Sequence, residues 1–146
     1  MMGSNGISWM STETMLGKLG DFVSSVQANL PQSDIYLISV PPVTTARETM
    51  ADYGVLNSDI DSYNSALLDF ANQRGVYYID LNTALKGNDG KFPEERAARD
   101  GMHFKKETYD LMLSYIMTHT YRESMMSDAS FETTAPDTSD AEPVTE

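Results

Sequence analysis

The sequence contains no cysteine. That removes disulfide bridges, thiolate nucleophiles and cysteine-ligated metals together, and it leaves the redox compartment open. Only two histidines are present, His103 and His119, which is poor material for a metal site, so neither a metal nor any other cofactor is expected. Positive charge is also scarce: ten Lys and Arg stand against 22 Asp and Glu, for a formal charge of -12. Such a chain repels a phosphate backbone, and no stripe of basic and aromatic residues offsets the repulsion, which argues against a nucleic-acid partner. No apolar run approaches the roughly 18 residues of a membrane span, and no basic segment followed by an apolar one opens the chain. A signal or anchor upstream would escape this reading, so the compartment stays open, an exported or envelope-associated parent protein included.

What is present is one domain's worth of chain, 146 residues of which 40% are hydrophobic, sufficient for a core if its elements can close around it. The acidic excess is unevenly spread. Seven acids (Glu123, Asp128, Glu132, Asp137, Asp140, Glu142 and Glu146) follow Arg122 with no Lys or Arg among them, leaving 15 acids against 10 bases in residues 1–122. Residues 123–146, rich in Ser, Thr, Asp, Glu and Pro, have little to bury and are expected to form a disordered acidic tail.

The body reads as alternating helices and strands. Ser11 or Thr12 can cap a helix in which Met15, Leu16, Leu19, Phe22, Val23, Val26 and Leu30 recur at helical spacing until Pro31. Residues 34–40 form an apolar run stopped by Pro41-Pro42, the pattern of a short buried strand, since two prolines cannot donate to a ladder. The stretch 41–56, with Thr44, Thr45, Arg47 and Glu48, is expected to be a long polar loop at the carboxyl end of that strand, where open α/β sheets bind ligands. A second helix over 58–74 would bury Ile60, Tyr63, Leu67, Phe70 and Ala71 and stop at Gly75. A strand over 76–81, a turn at Asn88-Asp89-Gly90 and a short helical segment from Pro93 through Arg99 follow. A last helix over 104–119 would bury Tyr109, Met112, Leu113, Ile116 and Met117, with His119 on the surface near its end. This alternation is that of a doubly wound parallel sheet.

Between the last two segments lies Asp100-Gly101-Met102-His103. An acid three residues before a histidine, in a turn that feeds a helix, can hold one imidazole nitrogen and leave the other for a substrate. Alone, such a tetrad is more often a helix start with a nearby acid. Its neighbours change that: the run from Asp100 to Ile116 resembles the last block of the GDSL/SGNH hydrolases, serine esterases and lipases on a flavodoxin-like sheet. Gly3-Ser4-Asn5-Gly6 resembles the Gly-x-Asn-Asp block of the same family, with Gly6 in place of its acid.

The resemblance implies a three-layer α/β fold with strand order 2-1-3-4-5, of which residues 1–122 would supply a remnant of the third strand and the fourth and fifth. An unpaired strand edge and apolar helix faces should then be exposed. It implies His103 as catalytic base, Asp100 as its orienting acid and Asn5 as a side-chain donor of the oxyanion hole, with Gly3 and Ser4 at the substrate. The Gly-Asp-Ser-Leu/Ile block that carries the nucleophile lies upstream of the asparagine block in that family and is not in this sequence. Neither Ser4 nor Ser8 or Ser11 reads as a substitute. The expected function is therefore ester hydrolysis on a small-molecule or carbohydrate acyl ester, represented by a part that lacks the serine and is inactive alone. Two alternatives remain: a half complemented in trans by an N-terminal partner, and a non-catalytic binding module on the same fold.

Overall fold

The computed structural model describes residues 3–52 and 54–120. Helix α1 (Thr12–Asn29) starts where Ser11, in extended backbone, accepts a hydrogen bond from the Thr14 N–H at 3.2 Å, which satisfies a donor the first turn would otherwise leave orphaned. Strand β1 (Tyr36–Ile38) follows, then a single helical turn α2 (Thr45–Glu48), the long helix α3 (Asn57–Arg74) and strand β2 (Tyr77–Ile79). The chain closes through α4 (Leu81–Leu85), a 3-10 turn (Glu94–Arg96) and α5 (Lys106–Thr118). Gly75 ends α3 at φ 63, a left-handed conformation that glycine adopts without steric cost.

Strands β1 and β2 pair in parallel with Tyr36 opposite Tyr77 and Ile38 opposite Ile79, joined by α3 as a parallel pair requires. Alternate residues face opposite layers. Leu37, Tyr78 and Val76 meet α1 and α3 around Leu19, Val23, Ile60 and Leu67. Ile38 meets α4, the 92–104 segment and α5 around Leu81, Leu85, Phe92 and Met112. Helices therefore cover both faces of a parallel pair, the layered α/β arrangement expected from the sequence.

The strands are three residues each, shorter than the runs 34–40 and 76–81. The cause lies in buried amides. The Asn64 side chain accepts from Val40 N at 2.7 Å and donates to Val40 O at 2.8 Å, and Asn82 donates to the same oxygen at 2.9 Å. Asn57 clamps Val43 in the same way, at 2.9 Å in both directions. These side chains replace a neighbouring strand, so the ladder ends while the chain stays extended. At β2 the carboxylate of Asp80 turns away to cap α4, accepting from Thr83 N at 3.1 Å.

Several expectations are corrected. The first part of the stretch expected as a polar loop, Pro41 to Thr44, is buried, because the asparagine clamps satisfy its backbone. Phe22 of α1 and Leu30 just after its end, both expected inside, are 55% and 57% exposed; Phe22 borders an open apolar groove between α1 and β1 that also contains Val26, Ile35 and Tyr36. In α5 only Thr108 and Met112 are buried, while Tyr109, Leu113 and Met117 are 50%, 61% and 56% exposed. The two sets form adjacent stripes on the helix, and among the described residues only one stripe has a layer to pack against. The helical segment expected through Arg99 stops at Arg96, since Ala97 leaves it to bridge Phe104. The strand end expected at residues 1–2 and the acidic tail at 123–146 lie outside the described residues.

Candidate active site

The tetrad 100–103 sits at the tip of a small hairpin. Ala97 and Phe104 form an antiparallel bridge, Ala98 N donates to His103 O at 2.8 Å and Lys105 N to Arg96 O at 3.0 Å. Gly101, at φ 67, turns the tip and lets it close on the segment after β1: Thr44 N donates to Gly101 O at 3.1 Å. A Cβ at Gly101 would run into Thr44 Oγ1 and lie 3.0 Å from Arg47 Cβ. Backbone conformation and close approach both demand glycine here.

Asp100 is the centre of this tip. Its Oδ1 accepts from Met102 N at 3.1 Å and from His103 N at 2.9 Å, and its Oδ2 pairs with His103 Nδ1. The imidazole beside it, with the His103 and Met102 backbone amides, holds its carboxyl well below the usual carboxylate range, against a smaller opposing effect of burial. With Nδ1 committed to a carboxylate, Nε2 is the ring nitrogen left for proton transfer. The pair is open to solvent, with side-chain exposures of 73% for His103 and 41% for Asp100. The carboxylate of this pair is not fully buried, as a Ser-His-Asp centre calls for: the tip closes on the segment after β1 through Gly101, and no described residue packs over the Asp100 side chain to bury it.

Asn5 is delivered by a turn in which Gly6 N donates to Gly3 O at 2.8 Å and the Trp9 indole to Asn5 O at 2.5 Å. Its side-chain amide is exposed and has no partner among the described residues. Gly3, at φ 125, packs so closely on Tyr63 that a Cβ would come within 2.8 Å of Cε1.

A cavity of about 230 Å³ brings Ser4, Asn5 and His103 together, with Pro42, Met102 and Tyr109 in its wall. It lies outside the carboxyl end of β1. Asp100 stands behind His103, and Gly3 shapes the turn without lining the cavity. Tyr109, read from the sequence as core, is instead a wall residue: it lies six positions after His103 on the stripe of α5 that the layers leave open, and Phe104 meets its ring edge-on at 5.6 Å. A wider cleft of about 610 Å³ shares Ser4, Asn5 and Met102 and extends along Trp9, Arg47 and Asp52. His119 is remote from both and stacks on Tyr115 at 3.8 Å. No cluster of three or more His, Asp or Glu side chains able to hold a metal occurs among the described residues.

The fold and its cavity define an α/β protein whose binding space opens at the carboxyl end of a parallel strand, where open sheets of this kind take ligands. Residues 1–111 match the GDSL-like lipase/acylhydrolase family, and the chain belongs to that family. No curated protein matches the sequence. Among solved structures it is similar to a Streptococcus pneumonia protein assigned as a platelet activating factor, with a TM-score of 0.66 and 23% identity over 73% of this chain and 50% of that one. A GDSL-like lipase from Bacteroides thetaiotaomicron gives a TM-score of 0.62 and 20% identity over 80% and 57%. The esterase domain of a zebrafish retrotransposon ORF1 protein gives 0.57 and 14% over 80% and 63%. At these identities the likeness is one of fold. The chain spans between half and two thirds of the length of these structures.

Proposed function

We propose that this chain carries the base, its orienting acid and one oxyanion donor of a serine ester hydrolase, and that the nucleophilic serine is supplied by the N-terminal part of the fold, joined to this chain or provided in trans. The observation that carries the reading is the Asp100–His103 pair: Nδ1 is held by a carboxylate, and the ring shares a cavity with the unpartnered amide of Asn5.

In this scheme His103 Nε2 takes the proton of the serine hydroxyl as its oxygen attacks the ester carbonyl, and Asp100 stabilises the imidazolium that results. The Asn5 amide donates to the tetrahedral oxyanion. On collapse the imidazolium returns its proton to the departing alkoxide, and an acyl-serine remains. Water, deprotonated by the same nitrogen, then releases the acid and restores the serine. The cavity suits a short acyl group on a small-molecule or carbohydrate ester. Ser4 lines it, and Gly3 shapes the turn that delivers Ser4 and Asn5.

The test is hydrolysis of p-nitrophenyl acetate. The chain alone should be no faster than its His103→Ala variant, and fusion or co-expression with N-terminal strands carrying a Gly-Asp-Ser-Leu block should create activity. In that complex His103→Ala should remove several orders of magnitude of rate, since members of such a centre act as a unit, and Asn5→Ala about 100-fold or more. A fluorophosphonate should label the restored serine. Turnover by the unmodified chain with the label on Ser4 would overturn the assignment.

A further inference from the structure

Arg47 lies beside the hairpin tip in the wall of the wider cleft, partly buried, and one nitrogen of its guanidinium, Nε, has no acceptor among the described residues. Its backbone is fixed: Thr44 Oγ1 accepts from Arg47 N at 3.2 Å, and Gly101 closes against its Cβ. Arg47 Nε is shielded from solvent and has no acceptor among the described residues. Its Nη1 meets the Met50 sulfur at 3.6 Å, a weak acceptor.

Three lysines among the described residues are held by carboxylates. Lys86 pairs with Asp61 at 2.6 Å, Lys91 with Glu48 at 2.5 Å and Lys106 with Asp110 at 3.0 Å. Glu48, next to Arg47 in sequence, is spent twice over: Oε2 meets Lys91, and Oε1 accepts from Asn57 N and Nδ2 at 2.8 and 2.9 Å. Lys91 first, and then these bonds, hold its carboxyl below the ordinary range despite burial, so it stays a committed anion. A shielded, unpaired charged donor is costly, and a guanidinium matches an oxyanion with parallel N–H groups.

We infer that Arg47 receives an anionic group of the ester, a carboxylate or phosphate, in the cleft it shares with Asn5, while the acyl carbonyl occupies the cavity of His103. The inference rests on the proposed ester hydrolysis for the placing of the carbonyl, and it names the substrate class: esters that carry a fixed negative charge on the part away from the scissile bond. Glu48 and Asp52 also line the cleft; the oxygens of Glu48 are taken by Lys91 and Asn57, and Asp52 repels an anion at its own end.

The test is binding to the full chain, which needs no serine. Monomethyl succinate, 2-acetoxyethyl phosphate and neutral dimethyl succinate are titrated while the Arg47 Nε–Hε resonance is followed by 15N NMR. One or both anionic esters should shift that resonance and bind at least about tenfold more tightly than the diester, and the tighter of the two identifies the acid. Arg47→Gln should abolish the preference, and Arg47→Lys, which keeps the charge but loses the fork, should restore it only in part; the amide spectrum outside 41–56 reports whether each variant is folded. Equal binding of all three esters, or a preference unchanged in folded Arg47→Gln, would overturn the inference. Esterase activity on serine restoration without an Arg47-dependent preference would reject this inference alone, whereas an Arg47-dependent preference with no activity would reject the hydrolase reading and leave the anion site standing.

Discussion

Asp100 grips His103 at two points: Oδ1 accepts from the His103 backbone N–H at 2.9 Å while Oδ2 pairs with Nδ1 of its ring. One carboxylate thereby sets both the turn and the orientation of the imidazole. The consequence is a titration. The folded-state pKa of Asp100 is depressed, by the imidazole first and the backbone amides next, so its contribution to stability is complete above the unfolded value of about 3.9 and is lost as pH falls through the lower folded value. A 13C titration of the Asp100 carboxyl should give a midpoint below about 3.9 in the wild type and one closer to it in His103→Ala. Identical midpoints in the two proteins would show that the ring contributes nothing.

Gly101→Ala places a methyl group against Thr44 and Arg47 at a backbone angle that alanine resists. It should lower stability by roughly 1–3 kcal/mol and lift the hairpin from the segment after β1. Denaturant melts give the first effect. Loss of the protection of the Thr44 amide from hydrogen exchange gives the second.

Asn64 holds both polar groups of Val40 in a buried site. In Asn64→Leu the Val40 N–H loses its acceptor, while its carbonyl keeps Asn82. The expected loss is about 1–3 kcal/mol, that of one buried unsatisfied donor. A melt within error of the wild type would mean that the clamp is dispensable.

On α5, neighbouring positions should respond in opposite ways. Met112→Ala removes a side chain that is 7% exposed in the cluster around Phe92 and should cost about 2–5 kcal/mol. Leu113→Gln alters one that is 61% exposed and should stay within about 0.5 kcal/mol. Paired denaturant melts decide it, and a large loss at Leu113 would mean that this stripe is covered in solution.

Elements governed by nearest neighbours were legible in the sequence. The Ser11 cap, the Gly75 stop, the helical spacing through α1 and α3, and two apolar runs joined by a helix follow from chain geometry, and they led to the parallel α/β arrangement. The Asp100–His103 contact was legible for the same reason, since three residues in one turn bring the side chains together whatever surrounds them. Tertiary structure decided the rest. Periodicity shows that Phe22, Leu113 and Met117 lie on apolar stripes, but whether a stripe is covered depends on which layer stands opposite. The buried path of Pro41 to Thr44 depends on Asn57, Asn64 and Asn82, distant in sequence and ordinary in type, because a carboxamide can both accept and donate as a strand neighbour does. The nearness of Asn5 to His103, across almost a hundred residues, and the shielding of Arg47 Nε without an acceptor among the described residues arise only when hairpin, turn and sheet end are packed together, since no local rule relates groups that meet across a cavity.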